Sequence, residues 1–111
     1  MTDSSNNPFK TLNQKLQAFS EARNWDQFHS PKNLAMALSV EASELLECFQ
    51  WLTEEQSKNL SSDQRAAVTD EIADVQLYLL QLANKLEINI ITASEAKMKK
   101  NAIKYPPANT I

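Results

Sequence analysis

Two pairs of acids carry the most suggestive chemistry in this chain. Glu41 with Glu44, and Glu71 with Asp74, each stand three residues apart inside stretches rich in aliphatic residues, VEASELLECFQW and DEIADVQLYLLQLA. In a helix that spacing puts both carboxylates of a pair on one side, about one turn apart. On a helical wheel Leu34, Leu38, Ala42, Leu45, Leu46 and Phe49 define one apolar arc. Glu41 falls about 20° outside Leu34 and Glu44 about 60° further round, whereas Glu47 lies on the far side. In the second stretch Val68, Ile72, Val75, Tyr78, Leu79, Leu82 and Leu86 form the stripe, Glu71 falls inside it and Asp74 borders it. An ionised carboxylate against apolar surface is costly unless it is protonated, ion-paired or bound to a metal. Antiparallel packing of the two helices brings the pairs face to face, and four converging acids repel unless cations intervene. Oxygen ligands suit Mg2+, with Mn2+ as a substitute. Zinc and di-iron sites usually need imidazole or thiolate, and this chain has one His and one Cys. The competing reading is a non-catalytic helical oligomerisation or regulatory module in which the acids pair with Lys or Arg across helices.

Composition limits what can surround such a site. The 111 residues include no glycine, which excludes the P-loop and the dinucleotide fingerprint, because both need backbone conformations that glycine adopts cheaply. No sustained alternation of Val, Ile or Thr suggests a sheet. The expected fold is all-α, a helical bundle of about four helices per chain, completed by oligomerisation because a chain of this length leaves apolar surface to cover. A net charge of -3 argues against a nucleic-acid polymer as partner, since that binding relies on clustered Lys and Arg. Cys48 is the lone cysteine, has no internal disulfide partner, and is given no role. The N-terminal MTDSSNNPFK lacks the apolar core of a signal peptide, and no run is long enough to cross a membrane. These features lead to the expectation of one cytoplasmic domain over residues 1–111, with 1–7 and 106–111 as flexible tails.

Caps mark the elements that must position the acids. Asn7-Pro8 opens a first helix to about Ala22, with Phe9, Leu12, Leu16 and Phe19 on one face. Ser30-Pro31 opens a second, running to about Leu52, after a connecting loop from Trp25 to His29. Thr53 with Gln56 is a capping box for one short turn, and Ser61 with Gln64 is a second, opening a third long helix to about Leu86. Thr92 with Glu95 is expected to cap a fourth, which must stop near Tyr105 before Pro106 and Pro107.

The ordered set ExxE then ExxD, as Glu41-Ala42-Ser43-Glu44 and Glu71-Ile72-Ala73-Asp74, resembles the metal-binding signature of the MazG-like all-alpha nucleotide pyrophosphohydrolases. RNWDQFHSPKNLAMALSVEASELLECFQW, DEIADVQLYLLQLA and KMKKNAIKYP resemble segments of its dCTP pyrophosphatase branch, so the likeness covers roughly residues 10 to 106. Many members open the first motif with two adjacent acids. Here Val40 precedes Glu41, while Asp70 does adjoin Glu71. The resemblance implies hydrolysis of a deoxynucleoside triphosphate, dCTP or a related pyrimidine nucleotide, to the monophosphate and pyrophosphate, as nucleotide-pool housecleaning. It implies Mg2+ on Glu41, Glu44, Glu71 and Asp74, with a metal-bound water as nucleophile or with Glu41 or Glu44 as general base. It also implies that Trp25, His29, Asn33, Trp51 and Tyr78 contact base or sugar, and that Lys97 and Asn101, with Lys100 and Lys104 nearby, meet the phosphates. A homodimer or homotetramer is the expected assembly.

Overall fold

The structure, a computed structural model, describes residues 8–108. Among them are five α-helices and no strand: α1 (Pro8–Ala22), α2 (Pro31–Glu47), α3 (Glu54–Lys58), α4 (Ser62–Lys85) and α5 (Ile90–Lys104), with a 3-10 turn at Asp26–Phe28 between α1 and α2. The all-α expectation holds. Both capping boxes form: Thr53 Oγ1 accepts from the Gln56 backbone N–H at 3.1 Å while Gln56 Oε1 accepts from the Thr53 N–H at 2.9 Å, and Ser61 with Gln64 repeats the pattern. Ser30 Oγ caps α2 by accepting from the Asn33 N–H, with Pro31 at the first helical position. The Asn7 cap expected for α1 lies outside the described residues.

Two boundaries depart from the expectation. The second helix ends at Glu47 instead of about Leu52, because Cys48, Phe49 and Leu52 tighten into bonds to the residue three back before Thr53 takes its extended cap conformation. The last helix starts earlier than Thr92: Asn89 is extended and its Oδ1 accepts from the Thr92 N–H at 3.0 Å, a stronger cap than Thr92 itself offers. Without glycine, α1 and α4 still close with left-handed residues, Asn24 and Glu87, both at φ 56°. The Trp25 N–H bonds Ser20 O at 3.0 Å and the Ile88 N–H bonds Ala83 O at 2.8 Å, the six-to-one bonds of a Schellman ending.

Helix α4 is the central rod. It packs chiefly against α2 and, on another side, against α1. The buried apolar residues are Leu34 on α2 and Val68, Leu80 and Ala83 on α4, with Ser20 of α1 also buried. Leu80 and Ala83 were not in the expected stripe. They lie about 60 to 120° round from Val68, on the side that meets α1, where Asn84 Nδ2 also donates to Asn13 Oδ1 at 3.1 Å. Conversely Ile72, Leu46, Ala42 and Leu86, assigned to apolar arcs, are exposed. None of the described residues covers that surface. Trp51 at 86%, Ile103 at 85% and Met98 at 70% exposure extend the same picture. The radius of gyration, 17.5 Å, exceeds the roughly 13 Å of a globular chain of this length. No helix among the described residues is long and apolar enough to cross a membrane.

Leu80 is 1% exposed and sits where α1 closes on α4. Leu80→Ala should therefore lower unfolding free energy by about 2 to 5 kcal/mol in a urea titration, whereas truncating exposed Ile103 in the same experiment should cost far less.

Candidate functional site

The acids meet across the α2–α4 seam. Glu41, Glu44 and Glu71 each offer a carboxylate oxygen, and the three oxygens lie within 4.8 Å of one another. Asp74 stands outside this trio, yet its negative charge acts on both Glu41 and Glu71. Glu41 Oε2 and Glu71 Oε2 are buried without a hydrogen-bond partner. No Lys or Arg forms an ion pair with any of the four among the described residues; Lys85 pairs instead with Asp26 at 3.6 Å, away from the acids. The arrangement required by the regulatory-module reading, interhelical pairs with basic side chains, is therefore not formed.

Electrostatics follow from this crowding. Desolvation against the seam, then contact with the Glu44 carboxyl and the charges of Glu44, Asp74 and Glu71, push the Glu41 carboxyl from 4.5 up to about 7. The Glu71 carboxyl is also raised, first by desolvation and then by Glu44, Asp74 and Asp70. Oxygen donors that are converging, partly dehydrated and unpaired fit a hard divalent cation such as Mg2+ or Mn2+.

The other expected site residues are distributed unevenly. Trp25 is anchored by the Schellman bond to Ser20 and packs edge-on against Phe19 at 5.4 Å and His29 at 6.1 Å. Asn33 Nδ2 donates to Phe28 O at 3.0 Å, so part of its amide holds the turn before α2. Tyr78 is half-buried, one helical turn beyond Asp74. Trp51 projects outward after α2. Lys97 is exposed and Asn101 half-buried on α5, a helix with little packing against the rest of the chain, and neither bonds to the acids. Within one chain, then, the acid trio forms, while Lys97 and Asn101 are not brought to it.

A cavity of about 220 Å3 opens between α1, the 3-10 turn and the far part of α4, lined among others by Leu16, Ser20, His29, Gln81, Asn84 and Lys85. His29 precedes α2 and meets the C-terminal part of α4, while Glu41 meets Glu71 further back, so α2 and α4 run antiparallel. Gln81, Asn84 and Lys85 were not singled out in the sequence. Gln81 lies seven residues beyond Asp74, within about 20° of the same side, and continuing the wheel two more turns would have found it.

An all-helical chain with a seam of converging acids defines a recognisable class, and the MazG-like family model matches residues 36–110. The chain belongs to the MazG-like family. It is 40% identical over 90 residues to dCTP pyrophosphatase 1 of Homo sapiens, a match covering 79% of this chain and 53% of that protein, and 40% identical over the same span to dCTP pyrophosphatase 1 of Mus musculus. The chain thus spans about half the length of the curated relatives it matches. A crystal structure of a pyrophosphatase from Archaeoglobus fulgidus superposes with a TM-score of 0.87 at 39% identity, covering 96% of this chain and all of that one.

A pH dependence follows from Glu41. Below pH about 4.5 its carboxyl is protonated in folded and unfolded chains alike; between about 4.5 and about 7 only the folded chain keeps the proton, so this group's effect is to lower stability as pH rises through that window, and the loss is complete above it. In EDTA, the Tm advantage of Glu41→Gln over the wild type should grow from pH 4.5 to about 7.5 and then level off. A difference independent of pH would show that Glu41 titrates normally.

Proposed function

We propose that the protein is an Mg2+-dependent nucleoside triphosphate pyrophosphohydrolase that converts deoxynucleoside triphosphates, dCTP or a related pyrimidine nucleotide first among them, to the monophosphate and pyrophosphate. The observation that carries this reading is the trio Glu41, Glu44 and Glu71, whose carboxylate oxygens lie within 4.8 Å of one another, with two buried unpaired oxygens and no basic partner among the described residues. The relatives' names point the same way. Glu41, Glu44 and Glu71 would hold the cation, with Asp74 beside them, and Mn2+ is an acceptable substitute. When bound, the cation supplies charge neutralisation for the triphosphate and a lowered pKa for a bound water. Glu41 or Glu44 would take the proton of the attacking water, and the Glu41 carboxyl, raised to about 7, suits that role better than an ordinary one.

The cavity beside His29 and Gln81 is the natural place for the base. It lies along α4, about 10.5 Å beyond Asp74 by helical rise, a span suited to a nucleotide whose phosphates are held at the acids. Trp25, His29, Asn33 and Tyr78 remain the side chains assigned to base and sugar, by stacking and polar contact, whereas Trp51, beyond the far end of α2, would reach a base in this cavity only from another copy. Lys97 and Asn101 are assigned to the phosphates, which requires α5 of another copy or a closure of this one. A homodimer or homotetramer would meet that need and cover Trp51, Met98 and Ile103. The role is housecleaning of the free nucleotide pool, and the corresponding compartment is the cytoplasm. Neither a nucleic-acid polymer nor a membrane is among the proposed partners.

Phosphorus NMR on the protein mixed with each deoxynucleoside triphosphate should show monophosphate and pyrophosphate with Mg2+ and neither with EDTA. Glu71→Gln should lower kcat/KM by roughly 100-fold or more while raising the metal-free Tm. Survival of every triphosphate would end the catalytic reading. Mg2+ at about 100 times its Kd should add about 2.7 kcal/mol of stability, and coincident melting curves with Mg2+ plus nucleotide and with EDTA would argue against a metal centre. Sedimentation velocity should give two or four copies; a monomer at micromolar concentration would leave Lys97 and Asn101 without a route to the acids except closure of α5.

A further inference from the structure

The turn that carries Trp25 and His29 has little apolar hold on the rest of the fold. Trp25 and Phe28 are both exposed. The hydrogen bonds described for the turn are local: the Trp25 N–H donates to Ser20 O at 3.0 Å, the Phe28 N–H to Trp25 O at 2.8 Å, the His29 N–H to Asp26 O at 3.1 Å and Asn33 Nδ2 to Phe28 O at 3.0 Å. Those bonds fix the shape of the turn, and where it sits against α4 is a separate matter. That second task falls to Asp26, whose carboxylate meets Lys85 Nζ at 3.6 Å in the last turn of α4. Both partners line the cavity of about 220 Å3, and Asp26 follows Trp25 and precedes His29, whose rings pack edge-on at 6.1 Å.

The place of this ion pair matters more than its strength. Its side chains are 34% and 39% exposed, and a pair so open to water adds little to global stability. A turn docked by few other contacts nevertheless shifts when a weak one is lost, because local opening costs far less than unfolding. The Asp26 carbonyl accepts from the His29 N–H, so a displaced Asp26 carries His29 with it, and Trp25 through the adjoining peptide bond. Lys85 belongs to the helix that bears Glu71 and Asp74, so the pair references the aromatic wall to the rod that holds the acids. We propose that Asp26 and Lys85 are positioning residues of the nucleotide site, their ion pair docking the turn of Trp25 and His29 against α4 and so setting the width of the cavity for the base. This rests on the proposed function, and in particular on the base occupying this cavity. The pair acts through Trp25 and His29 and not on the reacting phosphorus.

The test pairs steady-state kinetics on dCTP and Mg2+ with the imidazole proton resonances of His29, which are identified at once because the chain has one His. The imidazole lies beside the Trp25 indole, whose ring current makes those resonances a reporter of the turn. Asp26→Asn and Lys85→Met should each raise KM about three- to fivefold, with kcat changed less than about twofold, and should move the His29 resonances. Lys85→Arg, which keeps the pair, should leave KM and the resonances as in the wild type, and the charge reversal of Asp26→Lys with Lys85→Asp should recover most of both losses. A merely structural role would lower the folded fraction, and with it kcat, at unchanged KM. If circular dichroism shows the charge reversal unfolded, the contrast between Lys85→Met and Lys85→Arg decides. Single variants with the wild-type KM, or with unmoved His29 resonances, would overturn the proposal while leaving the hydrolase reading intact. A KM raised by Lys85→Met but not by Asp26→Asn would also overturn it, since Lys85 would then touch the nucleotide itself. A wild type inactive on every triphosphate would overturn the hydrolase reading and this inference with it.

Discussion

The constraint on which this structure depends is like charge held at close range. Acids on α2 and α4 are drawn together by the apolar seam between those helices, so the burial that stabilises the fold also forces the carboxylates towards one another. The Glu41 and Glu71 carboxyls are pushed up first by desolvation at that seam and then by the acids beside them. A chain selected for stability alone would place Lys or Arg opposite, as it does at the Asp26 and Lys85 bridge. Leaving the trio unpaired keeps the site able to take up a cation, because an internal ammonium or guanidinium would compete for the same oxygens.

The absence of glycine imposes a second discipline. Helix ends that would ordinarily recruit glycine in the left-handed region use Asn24 and Glu87 instead. At Asn24 the ending does more than stop α1: its six-to-one bond fixes the Trp25 backbone to Ser20 and delivers the indole against Phe19 and His29. Phosphate binding by a glycine-lined cradle is closed to this chain, so the proposed handling of a triphosphate falls to carboxylate-held metal and to basic side chains.

How much of this was legible in the sequence depended on whether the signal was local. Ser30-Pro31, Thr53 with Gln56 and Ser61 with Gln64 are complete within four residues, and each formed as read. The early end of α2 at Glu47 was not legible, since no glycine or proline marks it and the tightening from Cys48 to Leu52 is set by the approach to the next cap. The acid trio was legible because Glu41, Glu44 and Glu71 sit on or beside apolar arcs, a contradiction that periodicity exposes. Leu80 and Ala83 were missed because a single wheel assumes one buried face, whereas α4 has two neighbours and buries two sides. Ile72 and Leu46 were placed in the core by the same assumption, yet within one chain they face outward.

Helix α4 joins these observations. It carries Glu71 and Asp74 near its middle, Tyr78 one turn on, and Gln81, Asn84 and Lys85 at the far cavity. A helix is stiff over this length, so the distance between the acids and the cavity is fixed by helical rise and not by loop conformation. Under the proposed function, chemistry and recognition would change independently: substitutions at the cavity would alter which base fits without moving the carboxylates, which the seam with α2 constrains. The rod is held at its far end by the Asn84 bond to Asn13 and the Lys85 bridge to Asp26, which tie α1 and the Trp25 to His29 turn to the helix whose register sets that distance. Those contacts hold the cavity wall at a constant separation from the acids, which is what the proposed nucleotide, spanning both, would require.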